Sequence, residues 1–199
     1  TFGRKQALHG LCLAVKPGEM VALIGASGSG KSTLLRHVAG LARCDKSVTG
    51  NIQVLGRPMQ DCGRLSDEVR HLRADIGYIF QQFNLLPFLS VRENVELPCH
   101  FSKLRASRAV QRHGSVAKAT NALLAHLGLH QPELLQRRAG DLSIGQQQRV
   151  EVMRCLLQNP SLLIMDEPTS VLTPQETNQL FAVLRRFADK GMAVLFISH

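Results

Sequence analysis

The sequence predicts an α/β domain with a mostly parallel central sheet, and three features support this fold class. A short apolar run at residues 19–24 leads through a glycine-rich loop into a helical pattern. Two further apolar runs, at residues 161–165 and 192–197, flank another helical pattern at residues 175–187. Short apolar runs that alternate with helices are typical of the central strands of a parallel sheet, so all three runs are predicted to be buried strands.

The first helix is predicted to end at Gly40, and three apolar side chains form one face of it: Leu34, Leu35 and Val38. Residues 42–66 then contain Gly50, Gly56 and Gly63 between short alternating segments, which predicts an antiparallel β patch. Residues 76–80 are a further strand candidate.

Residues 91–129 have a mostly helical pattern, with an amphipathic helix that ends at Gly128 and has these apolar positions: Ala117, Ala119, Ala122, Leu123, Leu124 and Leu127. The later helix is predicted to bury Leu180, Val183, Leu184 and Phe187. We predict one domain over residues 1–199, in which residues 1–90 and 155–199 form the catalytic core and about 91–154 an inserted helical subdomain. Both ends are expected to be truncated. Residues 197–199 fall where a strand ends, and the first residues leave little room for a first strand.

Composition excludes several classes of protein. Of the 199 residues, 44% are hydrophobic and 20% are charged, as in an ordinary globular domain. No run approaches the roughly 18 apolar residues of a membrane span, and the first residues do not form a signal peptide, so any membrane crossing is expected to belong to another chain. Five scattered cysteines without a Cys-x-x-Cys pair indicate reduced thiols rather than a disulfide framework or a zinc site.

The formal net charge of +9 fits a nucleic acid, an acidic lipid surface or a nucleotide polyphosphate. The clearest basic region is residues 97–132, which contains no Asp or Glu and has five basic side chains: Lys103, Arg105, Arg108, Arg112 and Lys118. Its single aromatic residue, Phe101, leaves no series of stacking platforms for single-stranded nucleic acid. A solvated basic helix is therefore the prediction, and no nucleic acid partner is expected.

Residues 25–32, here called the glycine loop, fit the pattern G-x-x-x-x-G-K-[ST]. Glycines at these positions let backbone N–H groups surround phosphate oxygens, Lys31 adds a charge near the β- and γ-phosphates, and the Ser32 hydroxyl can bind Mg²⁺. A chance match is the alternative, but the strand before the loop and the helix after it argue against one. The predicted nucleotide contacts are Gly25, Ala26, Ser27, Gly28, Ser29, Gly30, Lys31, Ser32 and Thr33.

Asp166 and Glu167 follow the apolar run at residues 161–165 directly. The carboxyl ends of parallel strands border the ligand crevice, so both carboxylates are predicted to face the phosphates. Asp166 would then hold Mg²⁺, directly or through water. Glu167 would polarise the attacking water, as a general base or as an orienting acceptor. The alternative, an acidic pair that caps a helix, is disfavoured by the nearby glycine loop.

Residues 142–146, Leu-Ser-Ile-Gly-Gln, resemble the signature motif of the ABC ATPase family of P-loop NTPases, whose usual form is Leu-Ser-Gly-Gly-Gln. Further motifs of that family occur in the family's order over essentially the whole chain. It implies that Gln81 contacts Mg²⁺ and water and senses a membrane partner. It also implies that Phe2 stacks on adenine and that His199 contacts the γ-phosphate.

In this family two domains pack head to tail around two ATP molecules, and the signature of one chain closes on the nucleotide of the other. The resemblance therefore implies ATP and Mg²⁺ as cofactors and nucleotide contacts in trans from Ser143, Gly145 and Gln146. A capping role for Ser143 is the simpler alternative and is compatible with this one. The implied catalytic residues are Glu167, His199, Lys31 and Gln81, and the implied metal ligands are Ser32, Gln81 and Asp166.

The implied partners are a second copy of the domain, membrane-spanning permease subunits and, indirectly, a solute-binding protein, which places the chain peripherally on the cytoplasmic face of the cell membrane. Residues 83–95 are expected near the permease, although Phe83, Leu85, Leu86 and Phe88 are equally compatible with docking surface and with core. The sequence departs from the family pattern at Ile144, where glycine is usual, and at Thr173, where most relatives carry an aspartate.

Segments of the first half, at residues 18–25, 32–37, 45–48 and 77–85, resemble the ATPases of phosphonate importers. The second half, from about Pro132 and notably at residues 166–176, resembles those of sugar and nucleoside importers. We therefore predict an ATPase that powers an ABC importer, with phosphonate as the favoured solute and a sugar or nucleoside as the alternative. A non-transport ABC ATPase is a further alternative, but only about 110 residues separate Lys31 from Ser143, without the heptads of a long coiled coil. A nucleotide kinase or small GTPase would share the glycine loop alone.

Overall fold

The computed structural model describes residues 8, 10–45, 50–126 and 132–198. Its strands are β1 (Met20–Ile24), β2 (Asn51–Val54), β3 (Arg57–Asp61), β4 (Arg64–Leu65), β5 (Ile76–Ile79), β6 (Leu162–Met165) and β7 (Ala193–Ser198). Its α-helices are α1 (Lys31–Val38), α2 (Val69–Ala74), α3 (Val91–Phe101), α4 (Lys103–His113), α5 (Val116–His126), α6 (Ile144–Leu157) and α7 (Pro174–Ala188). Two short 3₁₀ helices, Pro132–Gln136 and Ala139–Asp141, precede α6.

The central sheet has the strand order β1-β7-β6-β5, and its neighbouring strands are parallel. All four residues of β6 are buried, because helices and the second sheet cover both faces. Leu163 and Met165 pack on one face, against a cluster formed mainly by α3, α5 and α6. Leu162 and Ile164 pack on the other face, with α1 and the antiparallel sheet. The predicted parallel sheet is confirmed.

Residues 19–24 are predicted to form a buried strand, and the prediction that this strand is buried is wrong. The strand exists, but none of its residues is fully buried and Ile24 is 77% exposed. The reason is its position: within the described ranges β1 pairs with β7 alone and is an edge strand.

Strands β2, β3 and β4 form the predicted antiparallel patch, with a register shift between Ile52 and Gln53. Gln60 fastens this patch to α1, because its buried side chain donates to the carbonyl of His37 at 2.9 Å. The same side chain accepts from the backbone N–H of Cys44 at 3.0 Å. The patch is thus held beside the helix that follows the glycine loop.

The predicted helical region comprises α3, α4 and α5, and no helix of the described ranges is long and apolar enough to cross a membrane. Three of the predicted apolar positions of α5 are buried: Ala119, Leu123 and Leu124. Ala117 is exposed, so the prediction is wrong at that position, and Leu127 and Gly128 lie outside the described residues. Helix α6 continues through residues 154 and 155, where the subdomain boundary is predicted, and that boundary stays a prediction.

The prediction of a solvated basic helix is wrong for part of α4. Arg108 forms an ion pair with Asp75 at 2.6 Å and donates to the carbonyl of Ala74 at 2.7 Å. Asp75 is buried and also accepts from Arg57 of β3 at 2.8 Å. One basic side of α4 therefore packs on the start of β5 instead of facing water.

Residues 80–90 connect β5 to α3, and the buried side chain of Asn94 holds the later part of this connection. Its Oδ1 accepts from the Leu86 N–H at 2.7 Å, and its Nδ2 donates to the carbonyls of Leu86, Leu89 and Ser90 at 3.0–3.3 Å. Leu85 packs against the core, whereas Phe88 is 68% exposed. The apolar side chains of this connection are therefore divided between core and surface.

Replacement of Asn94 by alanine should lower the free energy of unfolding by about 3 kcal/mol, because it leaves the Leu86 N–H and several carbonyls without their partner. Urea denaturation followed by circular dichroism measures this loss. The matched control is Asn121→Ala, since Asn121 is exposed on α5 and its Oδ1 accepts from Arg92 at 3.3 Å. That change should cost less than about 0.5 kcal/mol, and equal losses in the two variants would contradict the role given to Asn94.

Candidate nucleotide site

The glycine loop joins the carboxyl end of β1 to the N-terminus of α1. Gly28 and Gly30 have φ values of 76° and 93°, in the left-handed region that a side chain disfavours. Gly30 is the N-cap of α1, whose first turn carries no acidic residue. The free N–H groups and the positive end of the helix dipole therefore face the loop, as in a phosphate-binding site.

Lys31 lies over the same loop. Its Nζ donates to the carbonyls of Gly25 at 2.6 Å and Ala26 at 2.8 Å, and it lies 3.4 Å from Ser29 Oγ. These neutral acceptors hold the ammonium group without cancelling its charge. Lys31 can therefore exchange them for the oxygens of a bound phosphate.

Ser32 and Asp166 meet at the edge of the sheet, because β6 ends beside the start of α1. The Ser32 hydroxyl donates to Asp166 Oδ1 at 2.9 Å, and the backbone N–H of Asp166 donates to the carbonyl of Ile79 at 3.0 Å. Burial raises the pKa of the neighbouring Tyr78 to about 12, and the charge of Asp166 adds to this shift. Asp166 thus lies close enough to Tyr78 for its charge to disfavour the phenolate form.

The oxygens of Ser32 and Asp166 fit Mg²⁺, which prefers hard oxygen ligands. No group of three or more His, Cys, Asp or Glu suited to a metal occurs in the described part of the chain. Mg²⁺ usually takes one or two protein ligands and completes its shell with water and phosphate oxygens.

Gln81 and Glu167 follow adjacent strands, β5 and β6, and the structure brings their side chains together. Gln81 Nε2 donates to Glu167 Oε2 at 3.0 Å. Glu167 has a φ of 54°, which is unusual for a residue with a side chain. The Ser170 N–H and hydroxyl, at 3.3 and 3.0 Å, donate to the Glu167 carbonyl and close this turn. Strained backbone of this kind is common where a catalytic side chain must be aimed.

The signature residues 142–146 form the start of α6. Ser143 Oγ accepts from the Gln146 N–H at 3.3 Å, and Gln146 Oε1 accepts from the Ser143 N–H at 3.1 Å. Ser143 thus has the capping role, and the described hydrogen bonds of these two residues are not made with the glycine loop. Ser143 and Ile144 are exposed, whereas Gly145 is buried against Glu176, whose carboxylate a Cβ at position 145 would meet.

Several residues at the site lie beyond what we predict from the sequence. Gln148 is 2% exposed and donates to the carbonyl of Pro168, which ties α6 to the turn after Glu167. The Thr173 N–H and hydroxyl donate to Glu176 at 3.0 and 2.9 Å and lower the pKa of that carboxyl. The pattern Thr-x-x-Glu at residues 173–176 is a sequence signal for this capping box, whereas the long-range contact of Gln148 has no local signal.

Phe2 and His199 lie outside the described residues, and their contacts with adenine and with the γ-phosphate stay predictions. The other predicted contacts fall into two places. The glycine loop, Thr33, Gln81, Asp166 and Glu167 lie along one edge of the sheet. Ser143, Gly145 and Gln146 lie at the start of α6, where Ser143 is exposed and Gly145 is buried.

Comparisons with known proteins agree with this geometry. A family model described as "ABC transporter" matches residues 8–170. The phosphonates import ATP-binding protein PhnC 2 of Pseudomonas savastanoi pv. phaseolicola is 52% identical over 186 residues, which are 92% of this chain and 66% of that protein. The phosphonates import ATP-binding protein PhnC of Escherichia coli K12 is 41% identical, over 100% of this chain and 76% of that protein.

Among solved structures, a dimeric ATP-binding cassette, MJ0796, in a post-hydrolysis state bound to ADP and Pi matches with a TM-score of 0.78. It is 31% identical in sequence, and the match covers 100% of this chain and 83% of that one. This chain spans about two thirds of the length of the Pseudomonas relative. From the family match, the relatives and the shared fold, we conclude that the chain belongs to the ABC transporter family and has the fold of its ATP-binding cassettes.

Proposed function

We propose that the chain is the ATP-binding and ATP-hydrolysing subunit of an ABC importer. The observation that carries this proposal is the placement of two polar pairs at one edge of the central sheet. Ser32 and Asp166 are 2.9 Å apart, and Gln81 and Glu167 are 3.0 Å apart. One pair offers ligands for the Mg²⁺ of a nucleotide, and the other offers a base with a partner that orients it.

The chain's own groups account for the steps of hydrolysis. The glycine loop and Lys31 bind the β- and γ-phosphates. Ser32 and Asp166 would hold Mg²⁺, which would supply further positive charge to the phosphate oxygens. Glu167 takes a proton from water as the water oxygen attacks the γ-phosphorus in line. The bond from that phosphorus to the bridging oxygen of ADP breaks, and ADP keeps the electron pair. Gln81 orients Glu167 through their hydrogen bond.

The outward-facing signature supports the proposal that two copies act together. Ser143 and Ile144 are exposed, and the first turn of α6 carries no acidic residue. A helix start of this kind can offer N–H groups and a hydroxyl to the γ-phosphate held by the second copy. His199, Phe2 and the signature complete the proposed site, in the roles that the family resemblance gives them.

The proposed solute is a phosphonate, and the proposed location is the cytoplasmic face of the membrane, bound to permease subunits. The names of the relatives support phosphonate over sugar, since they match 92% and 100% of this chain and so include its second half. The exposed Phe88, in the connection after Gln81, supports permease docking in that region.

Replacement of Lys31 by alanine should lower ATP hydrolysis by the purified protein about 100-fold or more, because it removes a charge that stabilises the transferring phosphoryl group. Phosphate release measures the rate. Lys103→Ala is the matched control, since Lys103 is exposed at the start of α4. Retention of full turnover by Lys31→Ala would overturn the proposed reaction.

In cells, the same replacement should abolish uptake of a labelled phosphonate and leave sugar uptake unchanged.

Replacement of Glu167 by glycine should give a more stable protein than replacement by alanine, by about 0.5–1 kcal/mol, because glycine tolerates the observed φ of 54°. At ordinary positions the order is the reverse, since glycine has the larger backbone entropy in the unfolded chain. Both variants should lose ATP turnover with the carboxylate. Thermal unfolding and phosphate release test the two statements, and a more stable alanine variant would show that the turn is unstrained.

A further inference from the structure

Glu151 is a buried acid that the proposed hydrolysis does not use. It lies on α6 among Val150, Val152 and Met153, and all four residues are 0% exposed. Burial raises the pKa of its carboxyl, and the neighbouring charge of Arg154 partly opposes this shift. Its Oε1 accepts from Arg154 Nη2, whereas its Oε2 has no hydrogen-bond partner in the described part of the structure.

A buried ion pair of this kind stabilises a fold little, because the cost of removing both charges from water offsets their attraction. Apolar side chains of similar volume often serve as well in a core or better. Stability therefore does not explain why an apolar stretch of α6 holds Glu151 and Arg154. The contacts of Arg154 suggest a different role.

Arg154 bridges two elements with the two ends of its guanidinium group. Nη2 bonds Glu151, and Nη1 donates to the carbonyl of Asn84 at 2.7 Å. The group is planar and its donors have a fixed fork geometry, so holding one end directs the other. Glu151 thereby points Arg154 at a backbone carbonyl three residues after Gln81.

Two described hydrogen bonds reach residues 81–85 from other elements. One joins Gln81 to Glu167 at 3.0 Å, and the other joins Asn84 to Arg154. The later part of the connection is fixed separately by Asn94, which bonds Leu86 and the residues that follow. Apart from the packing of Leu85 on the core, the half of the connection that carries Gln81 is therefore held from α6 by Arg154.

We propose that Glu151 and Arg154 are positioning residues, which hold the carbonyl of Asn84 and thereby keep the amide of Gln81 on the carboxylate of Glu167. Gln148, on the same helix, holds the carbonyl of Pro168 on the other side of this pair. Helix α6, which begins with the signature, thus bonds the segments that carry Gln81 and Glu167. The effect on turnover rests on the proposed function, whereas the effect on the connection does not.

The first arm of the test measures the mobility of the connection without any nucleotide. The sequence contains no tryptophan, so Gln82→Trp gives a single fluorescent reporter at an exposed position. In this background, the double change Glu151→Leu/Arg154→Leu should increase the rapid local component of the tryptophan anisotropy decay about twofold. The control Arg92→Leu/Glu96→Leu removes a more exposed ion pair of α3, at 3.2 Å. The other hydrogen bonds of this pair are made with α5 and not with residues 81–85, so the control should leave the decay unchanged.

The second arm measures turnover and stability in the protein without the reporter. Glu151→Leu/Arg154→Leu should lower kcat about tenfold at unchanged KM for ATP, because the glycine loop and Lys31 are untouched. The melting temperature should stay equal or rise, as expected when apolar side chains replace a buried ion pair. In a Gln81→Ala background the double leucine change should lower kcat no further. Any effect of the control Arg92→Leu/Glu96→Leu on kcat should instead multiply with the effect of Gln81→Ala.

The outcomes separate the proposals. An unchanged anisotropy decay would overturn the positioning role, whether or not the protein hydrolyses ATP. If the connection becomes mobile and kcat stays unchanged, the proposed effect of Glu151 and Arg154 on Gln81 is overturned. It is overturned as well if the fall in kcat multiplies with that of Gln81→Ala, which would indicate a general structural effect. If the unaltered protein hydrolyses no ATP, the proposed function fails, and the anisotropy alone decides whether Arg154 holds the connection.

Discussion

The parallel pairing of β5 with β6 is the constraint on which the candidate site depends. Its register places Ile79 opposite Met165, so the residues that follow both strands emerge at one edge of the sheet. Gln81 reaches Glu167 there, and Asp166 reaches Ser32 at the start of α1. A slip of this register by one residue would turn each side chain to the opposite face and separate both pairs.

Helix α6 connects that edge to the rest of the molecule. Its first residues form the exposed signature, its middle contacts the turn after Glu167 through Gln148, and its later part contacts the connection after Gln81 through Arg154. Helix α6 thus makes hydrogen bonds to the segments on both sides of the Gln81–Glu167 pair. The capping box of Thr173 and Glu176 adds a further contact behind Gly145.

Local patterns predict much of this structure, because the features concerned depend on neighbouring residues. The glycine loop, the strand before Asp166 and the helices around it follow from glycine positions, apolar runs and caps. Features that depend on distant partners are missed. The exposure of Ile24 reflects the pairing of β1 along one edge, and the docking of Arg108 depends on Asp75 in another element. The contacts of Gln148 and Arg154 are of the same long-range kind.

The central claim is that two copies of this chain close around ATP, each with its signature on the nucleotide of the other. Sedimentation of the Glu167→Gln variant, with and without Mg-ATP, tests it most directly, because this change should allow nucleotide binding and block hydrolysis. We expect a shift from monomer to dimer on addition of Mg-ATP, and no shift when Ser143→Glu places a carboxylate on the exposed start of α6. A Glu167→Gln protein that binds ATP and stays monomeric would contradict the claim.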